Sequence, residues 1–281
     1  MQTDALQRAI QRFYDVSTPL WEDVWGDHLH HGYYGSDGSV RKAPYEAQVD
    51  LVEALRRFGR LEQAGRILDA GCGVGGSALY LARKLGAEVE GITLSPVQAR
   101  SATARAEAAG LGDRVRFSVA DALAPPFEPA SFDAVWALES AEHFPDKSAW
   151  LATCARLLRP GGRLVAATWC IRPSPPDPGA AERRLLRRLY GAYHLPDMIS
   201  LPDYLERLAG LGFDAVCGED WTGAVAPFWG EVVRSAMRPA SLAGLLRAGW
   251  PTIRGALAMR HMMRGYRTGL IRFGVFTAVR R

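Results

Sequence analysis

The sequence predicts an α/β fold built on a doubly wound, mainly parallel sheet. From residue 66 onward, short apolar segments alternate with stretches of helical length. This alternation is typical of parallel strands joined by helices that cover both faces of a sheet. A glycine-rich turn follows the first apolar segment, where such sheets commonly bind a ligand. With 48% hydrophobic and 23% charged residues, the chain can also bury a sizeable core.

The first predicted unit is a helical lid formed by residues 1–60. This region is rich in aromatic residues and ends in an amphipathic stretch at residues 46–58. An aromatic-rich helix commonly packs into a core, but here it could also close over a ligand. The side chains that would close the lid are Tyr14, Trp21, Trp25, Tyr33 and Tyr34.

The second predicted unit comprises residues 61–281. Its first five strands are expected in the segments GRILDAG, AEVEGIT, RVRFSVAD, FDAVWALES and GRLVAATW. A sixth strand is expected at residues 213–217 and the last at residues 272–279. The connection between these two is far longer than a hairpin needs. Residues 222–270 are therefore predicted to be a helical cap inserted before the last strand.

Several classes of protein are disfavoured by composition. No apolar run approaches the roughly 18 residues that span a bilayer, and the polar, amphipathic start lacks a signal-peptide core. We therefore expect a cytoplasmic protein. Paired metal-ligand or disulfide spacing is also lacking, so neither a metal site nor a disulfide is expected. The cysteines are Cys72, Cys154, Cys170 and Cys217.

Charge is unevenly placed along the chain. The net charge is +4, yet residues 222–281 contain ten Arg, no Lys and one acid, Glu231. Such an excess of arginine commonly forms a basic face exposed to solvent. A more specific explanation is contact with an anionic membrane. Arg260, Arg264 and Arg267 would share one helix face. Nucleic-acid binding is not expected, because no recognition motif accompanies these residues.

The glycine-rich turn LDAGCGVGG spans residues 68–76. Its glycines permit a tight turn and a close approach of the backbone to a ligand. Gly71, Gly73 and Gly76 satisfy the spacing of a dinucleotide site, whereas Asp69 would repel a pyrophosphate and attract an ammonium group. This favours S-adenosylmethionine over a nicotinamide cofactor, and we expect Asp69, Gly71, Gly73 and Gly75 to contact it.

Other segments complete a predicted cofactor site at the strand ends. Asp121 and Ala122 follow the third strand, where they would meet the adenine. Thr93 and Gln98 follow the second strand and would hold the ribose, unless Gln98 faces solvent. Glu139, after the fourth strand, would face the cofactor or orient a catalytic base.

Together, these segments resemble the ordered motifs of class I methyltransferases, which have a Rossmann-like fold. LWEDVWGDHLHHGYYG, WALESAEHFPDK, AVAPFW and GYRTGLIRFGVFTAV resemble the tocopherol O-methyltransferase family. The resemblance implies methylation of the aromatic ring of γ-tocopherol, and of δ-tocopherol, giving α- and β-tocopherol. It also extends to methyltransferases of indole alkaloid nitrogens. The implied acceptor is an amphipathic phenol with an isoprenoid tail.

A general base would assist methylation of a phenol, because its hydroxyl has a pKa near ~10. His143, just beyond the fourth strand, is the candidate, with Glu139 as its catalytic partner and a pKa expected near neutrality. A helix-capping role for His143 is the alternative. Glu142 is expected to be solvated. The adjacent His30 and His31 diverge and lack a third ligand, so we assign them to the lid.

Acceptor binding is assigned to an apolar slot beside the cofactor. The candidates are Tyr14, His31, Trp169, Phe228 and Trp229, joined by Met259, Met262 and Met263. Three alternatives stay open: a methyltransferase for a soluble amine, phenol or sugar, a non-catalytic adenosine-ligand or lipid-binding module, and a nicotinamide-dependent dehydrogenase.

Overall fold

A computed structural model describes residues 2–236 and 250–281. The strands are β1 (Arg66–Ala70), β2 (Glu88–Thr93), β3 (Val115–Val119), β4 (Phe132–Leu138), β5 (Leu158–Ile171), β6 (Phe213–Asp220) and β7 (Ile271–Arg280). The helices are α1 (Gln2–Trp25), α2 (Pro44–Phe58), α3 (Gly76–Leu85), α4 (Pro96–Ala108), α5 (Lys147–Leu157), α6 (Ala180–Tyr193), α7 (Leu201–Gly210), α8 (Thr222–Val225), α9 (Phe228–Ala236) and α10 (Trp250–Arg267).

One seven-stranded sheet organises the described chain, in the order β3-β2-β1-β4-β5-β7-β6. Strands β1 to β5 pair in parallel, and β7 is antiparallel to both of its neighbours. The strand order reverses direction between β1 and β4, and ligands bind such sheets at the carboxyl ends of these strands. This confirms the predicted doubly wound α/β fold, including all seven strand positions.

Alternating side chains divide the core between the two faces of the sheet. In β1, Ile67 packs into one apolar cluster, while its neighbour Leu68 packs into the other. Trp136 of β4 and Trp150 of α5 are fully buried on opposite faces. A sheet covered on both faces is rigid, and it therefore provides a fixed platform for the loops at its edge.

The N-terminal region is helical at its two ends, and residues 26–43 between α1 and α2 are not helical. Its aromatic content did not reveal this break, which contains glycines in the left-handed conformation at Gly26, Gly35 and Gly38. Helix α1 packs along α4, where Glu22 pairs with Arg105 at 2.9 Å. This places α1 across the carboxyl edge of the sheet, as a lid requires.

Helices α8, α9 and α10 connect β6 to β7, as predicted for the inserted cap. Residues 237–249 of that predicted cap lie outside the described residues. Helix α10 packs against α6 on the face of the sheet that α1 also approaches. Among the helices of residues 2–236 and 250–281, none is both long and apolar enough to cross a bilayer.

Candidate active site

The glycine-rich turn joins β1 to α3 at the edge of the sheet. Gly71, Gly73 and Gly75 all have positive φ angles, of 89°, 52° and 89°, which favour glycine over other residues. A Cβ at Gly71 would lie 2.3 Å from the Cβ of Ser140, so that glycine permits close packing. A Cβ at Gly73 would meet nothing within 4 Å. Gly73 therefore borders open space on the ligand side of the turn.

The other two glycines of the turn accommodate packing. A Cβ at Gly75 would lie 2.7 Å from the ring of Phe117, and Gly75 does not line the pocket described below. At Gly76, the Cβ would lie 2.2 Å from the carbonyl oxygen of Asp27 and 2.7 Å from Nδ1 of His28. The segment after α1 thus sits directly on the first turn of α3, which closes one side of the site.

Asp69 places a buried carboxyl group at the start of the turn. It is 2% exposed, and its Oδ2 has no hydrogen-bond partner among the described residues. Burial raises the pKa of Asp69 to about 7. An unpaired buried carboxylate is costly, and a cationic ligand group relieves that cost. Asp69 therefore fits the ammonium of S-adenosylmethionine.

A single pocket collects the predicted cofactor residues at the strand ends. Its walls also include side chains of α1 and of the segment after β4. The predicted residues that line it are Asp69, Gly71, Gly73, Thr93, Gln98, Asp121, Ala122, Glu139, Tyr14 and His143. Most of these residues lie at the carboxyl end of β1, β2, β3 or β4 or in the segment that follows it. They reach one pocket because parallel strands end at a common edge of the sheet.

Thr93 and Gln98 form a buried polar pair in this pocket. The Thr93 hydroxyl donates to Oε1 of Gln98 at 2.7 Å, and the Gln98 amide donates to the hydroxyl of Thr18 at 3.3 Å. Gln98 is only 4% exposed, so the alternative of a solvent-facing Gln98 is excluded. Ser95 caps α4 by accepting from the backbone N–H of Gln98, which fixes the start of this helix.

Asp121 lies where the lid meets the pocket. Its carboxylate accepts from the amide of Gln7 at 2.7 Å and from the backbone N–H of Leu123 at 2.9 Å. Gln7 belongs to α1, so the predicted adenine contact is joined here to the lid. Sequence reasoning missed Gln7, because the two paired residues are 114 positions apart in the chain.

Glu139 pairs with His31. Its carboxylate accepts from the backbone N–H of His31 at 2.6 Å and from Nδ1 of the same residue at 2.8 Å. The backbone of Glu139 has a φ of 52°, which is uncommon for a residue with a side chain and is typical of functional sites. The proposed pairing of Glu139 with His143 is thus replaced by a pairing with His31.

His143 is buried and hydrogen-bonded to the lid. Its Nε2 lies 2.8 Å from the hydroxyl of Tyr14, and its Nδ1 has no partner among the described residues. Burial, with a smaller contribution from Lys147, lowers the pKa of His143 to about 3. The expectation of a pKa near neutrality is therefore wrong in this closed arrangement. Burial also raises the pKa of Tyr14, so both partners are uncharged.

The environment of Glu142 also differs from expectation. Predicted to be solvated, Glu142 is 1% exposed and accepts from the hydroxyl of Thr168 at 2.7 Å. Burial, with the nearby charge of Glu139, raises the pKa of Glu142 to about 8. Lys147 donates to the carbonyl oxygens of Glu142 and Phe144, and burial lowers its pKa to about 8. A short turn after β4 folds these groups inward, which the sequence pattern did not reveal.

An aromatic chamber surrounds His31, which is 1% exposed. Rings from β5, α9, α10 and β7 approach the imidazole, with centroids 4.7 to 6.1 Å away. The chamber is formed by His31, Trp169, Phe228, Trp229, Tyr266 and Phe273. The structure thus brings together four of the predicted acceptor residues, while sequence reasoning missed Tyr266 and Phe273.

The remaining predicted residues are distributed around this chamber. The ring of His30 lies 3.0 Å from Nδ1 of His28 through its Nε2 and 2.8 Å from the carbonyl oxygen of His31 through its Nδ1. Met262 is fully buried, whereas Met263 is 36% exposed, so of these two only Met262 lies in the apolar core. Among the described residues, no cluster of three or more His, Cys, Asp or Glu side chains could hold a metal ion.

Comparisons with known proteins agree with this site. Residues 67–162 match the family described as "Methyltransferase domain". The chain is 42% identical to tocopherol O-methyltransferase of Arabidopsis thaliana, over 98% of this chain and 82% of that protein. It is 35% identical to 2-methyl-6-phytyl-1,4-hydroquinone methyltransferase of Synechocystis, over 93% of this chain and 84% of that protein.

Solved structures show the same architecture. Geranyl diphosphate C-methyltransferase of Streptomyces coelicolor, in complex with S-adenosyl-L-homocysteine, aligns with a TM-score of 0.74 at 25% identity, over 98% of each chain. The cyclase SpnF aligns with a TM-score of 0.82 at 28% identity, over 98% of this chain and 96% of that one. The alignments with these relatives cover more than nine tenths of this chain. The chain therefore belongs to the tocopherol O-methyltransferase family and is a class I methyltransferase that uses S-adenosylmethionine.

Proposed function

We propose that this enzyme methylates the chromanol ring carbon next to the hydroxyl of γ-tocopherol, giving α-tocopherol. The same reaction would convert δ-tocopherol to β-tocopherol. The observation that carries this proposal is the 42% identity to a tocopherol O-methyltransferase over 98% of the chain. The match includes the aromatic chamber, which lies outside the general methyltransferase domain and offers an apolar site for a phenolic ring.

The residues of the cofactor pocket would bind the parts of S-adenosylmethionine by their chemistry. Asp69 would take the ammonium group, and Thr93 with Gln98 would take the ribose hydroxyls. Asp121 and Ala122 would meet the adenine. When bound, the cofactor supplies a methyl group made electrophilic by its sulfonium. The protein then has to orient the acceptor and exclude water.

The acceptor would enter between the lid and the aromatic chamber. Trp169, Phe228 and Trp229 present apolar ring surface, and His31 with Tyr14 adds polar atoms on the sheet side. Aromatic walls of this kind bury a planar ring without leaving many polar groups unpaired. An acceptor with a long isoprenoid tail would also gain from apolar burial along the same path.

His143 is proposed to take up a proton during methylation. Its low pKa keeps it uncharged at neutral pH, so Nε2 can accept a hydrogen. In the structure that nitrogen lies 2.8 Å from a phenolic hydroxyl, that of Tyr14. We infer that Tyr14 holds His143 until the acceptor arrives. Both residues line the cofactor pocket, which supports a role at the reacting carbon.

Peripheral contact with an anionic membrane is proposed as the route to a lipid-soluble acceptor. A groove between α6 and α10 is lined by five basic side chains, Arg184, Arg187, Arg188, Arg260 and His261. The predicted Arg264 and Arg267 are exposed on the same helix, α10. Each arginine near an anionic surface contributes about 1 kcal/mol. Replacing Arg187 and Arg188 with glutamate should abolish sedimentation with phosphatidylglycerol vesicles at low salt.

A methyl-transfer assay tests the function directly. Labelled S-adenosylmethionine would be offered with γ-tocopherol, δ-tocopherol, and a panel of soluble phenols and amines. Incorporation into the two tocopherols, with a kcat/KM at least about tenfold above the panel, is the expected result. Transfer confined to a soluble amine would overturn the proposed acceptor.

The vesicle experiment tests the membrane proposal separately. If the wild type bound only to neutral phosphatidylcholine vesicles, the proposed contact with an anionic membrane would be overturned.

A further inference from the structure

Methylation at a ring carbon requires two proton transfers from different atoms of the acceptor. The hydroxyl must lose its proton, or share it, for the ring to become a strong nucleophile. The ring carbon that gains the methyl group must then lose its own hydrogen as a proton. We assign His143 only the second transfer, because its Nε2 already contacts the Tyr14 hydroxyl at 2.8 Å and its low pKa is poorly matched to a phenol with a pKa of ~10. Another group must therefore face the hydroxyl.

The His31–Glu139 pair has the geometry of an oriented base. The Glu139 carboxylate holds both the backbone N–H and the Nδ1 of His31, at 2.6 and 2.8 Å. With Nδ1 as the donor, Nε2 carries the free lone pair. A carboxylate behind an imidazole fixes its tautomer and stabilises the cation that forms on protonation. Nε2 is buried and has no partner among the described residues.

Three of the rings packed around the same imidazole carry a polar atom that could donate a hydrogen bond. The indole nitrogens of Trp169 and Trp229 and the hydroxyl of Tyr266 are all buried without a partner among the described residues. Their rings lie 6.1, 5.0 and 5.8 Å from the ring of His31. A buried polar atom of this kind destabilises the protein as long as it lacks a hydrogen-bond partner. One acceptor nitrogen among three donors matches an oxygen that gives up a proton and then carries negative charge.

We propose that His31, positioned by Glu139, accepts the hydroxyl proton of the phenolic acceptor. This inference rests on the proposed function and assigns its first proton transfer. The O–H bond breaks and an N–H bond forms at Nε2, while the electron pair stays on the phenolate. The ring proton leaves toward His143, and His31 returns its proton to the oxygen, so that one proton is released per methyl transferred. His31 is then a catalytic residue and Glu139 a positioning residue.

The ionisation of a bound phenol measures this role without turnover. A short-tailed 5-nitro-6-chromanol is a suitable probe, because its reacting carbon is blocked and its phenolate is coloured. Its absorbance would be titrated with the full chain and S-adenosylhomocysteine. We expect the bound probe to ionise about one pH unit below the free probe. His31→Gln should abolish this shift, Glu139→Gln should remove most of it, and His143→Ala should retain it.

Turnover provides a second readout that a purely structural role would not change. The titratable groups against His31 are Glu139, Tyr266 and the neighbouring His30. Burial keeps Tyr266 and His30 uncharged by raising and lowering their pKa values, respectively. At neutral pH, Glu139→Gln should lower kcat with γ-tocopherol by about 100-fold. Its activity should recover toward alkaline pH, because the phenol then ionises without help.

Control measurements separate folding, function and the proposed role. His31→Gln should bind S-adenosylhomocysteine within about threefold of the wild type, because His31 does not line the cofactor pocket. Glu139 does line that pocket, so all variants would be compared at saturating S-adenosylhomocysteine. An unshifted or unbound probe with the wild type would overturn the inference, and so would a shift that survives in both His31→Gln and Glu139→Gln. A normal shift without methylation of γ-tocopherol would overturn the proposed acceptor alone.

Discussion

The cofactor pocket and the aromatic chamber adjoin each other but are built differently. Every predicted cofactor residue, from Asp69 to Glu139, lies within the segment 67–162 that matches the methyltransferase domain. Every residue of the aromatic chamber lies outside it. The pocket is shaped by backbone turns at strand ends, whereas the chamber is assembled from side chains of distant segments. We therefore expect the first region to fix the reaction class, and we propose that the second selects the acceptor.

Glu139 is the junction of the two regions. It directly follows β4 in the wall of the cofactor pocket, and its carboxylate reaches His31 in the chamber. Its backbone has a positive φ, a conformation in which Glu139 both lines the cofactor pocket and bonds to His31. If the two regions are functionally separate, substitutions on either side should change different measured quantities.

The largest expected effect comes from His143→Ala. Turnover should fall about 100- to 1,000-fold, the usual contribution of a general acid–base group. Affinity for S-adenosylhomocysteine should change less than about threefold, because no cofactor group depends on the imidazole. Single-turnover kinetics and calorimetry would measure the two quantities. Unchanged turnover would reject the catalytic role of His143.

Asp69→Asn should give the opposite result. The loss of a buried charge pair predicts S-adenosylhomocysteine affinity lower by about 100-fold, with turnover nearly unchanged once cofactor is saturating. Wild-type affinity should also fall as the pH drops below about 7, because protonated Asp69 cannot pair with an ammonium. The variant should lack this dependence. Equal pH profiles for both proteins would contradict the ammonium assignment.

Two glycines of one turn should separate stability from binding. Gly71→Ala places a Cβ 2.3 Å from Ser140, and we expect a loss of about 2 kcal/mol in the free energy of unfolding. Gly73→Ala meets no atom within 4 Å, so its Cβ should instead weaken cofactor binding, by about tenfold. Urea denaturation and calorimetry would compare them. Unchanged cofactor affinity in Gly73→Ala would show that Gly73 does not border the ligand.

The pH dependence of stability provides a ligand-free test of the same region. Asp69 has a folded-state pKa of about 7, above the ~3.9 of an unfolded chain, so the folded state binds more protons between these values. Wild-type stability should therefore fall as the pH rises from about 4 to 7. Ligand-free Asp69→Asn should be more stable than the wild type by about 1–3 kcal/mol at pH 8. Glu142 titrates in both proteins, so their difference isolates Asp69.

The smallest effect is expected in the chamber. Tyr266→Phe removes a buried hydroxyl without a partner among the described residues, so the free energy of unfolding should change by less than about 1 kcal/mol. The KM for the acceptor should rise severalfold, while cofactor affinity stays constant. Thermal denaturation and steady-state kinetics would measure these quantities. A loss of several kcal/mol would mean that the hydroxyl has a structural partner.

Sequence reasoning succeeded where the information was local. The strand positions follow from apolar segments bounded by turns, and the cofactor residues follow from their places at strand ends. It failed where partners come from distant segments, as with Gln7 and Asp121. The expected neutral pKa of His143 and the expected solvation of Glu142 failed for the same reason, because both depend on burial by other elements.

The sequence by itself determined the doubly wound sheet, the glycine turn with Asp69, and the choice of S-adenosylmethionine over a pyrophosphate ligand. These depend on residue spacing and on the sign of one charge. Tertiary structure alone decided that Glu139 pairs with His31, that Tyr14 reaches His143, and which rings form the chamber. Hydrogen bonds and burial depend on distances in space, and residues 108 positions apart in the chain have no local pattern that reveals their contact.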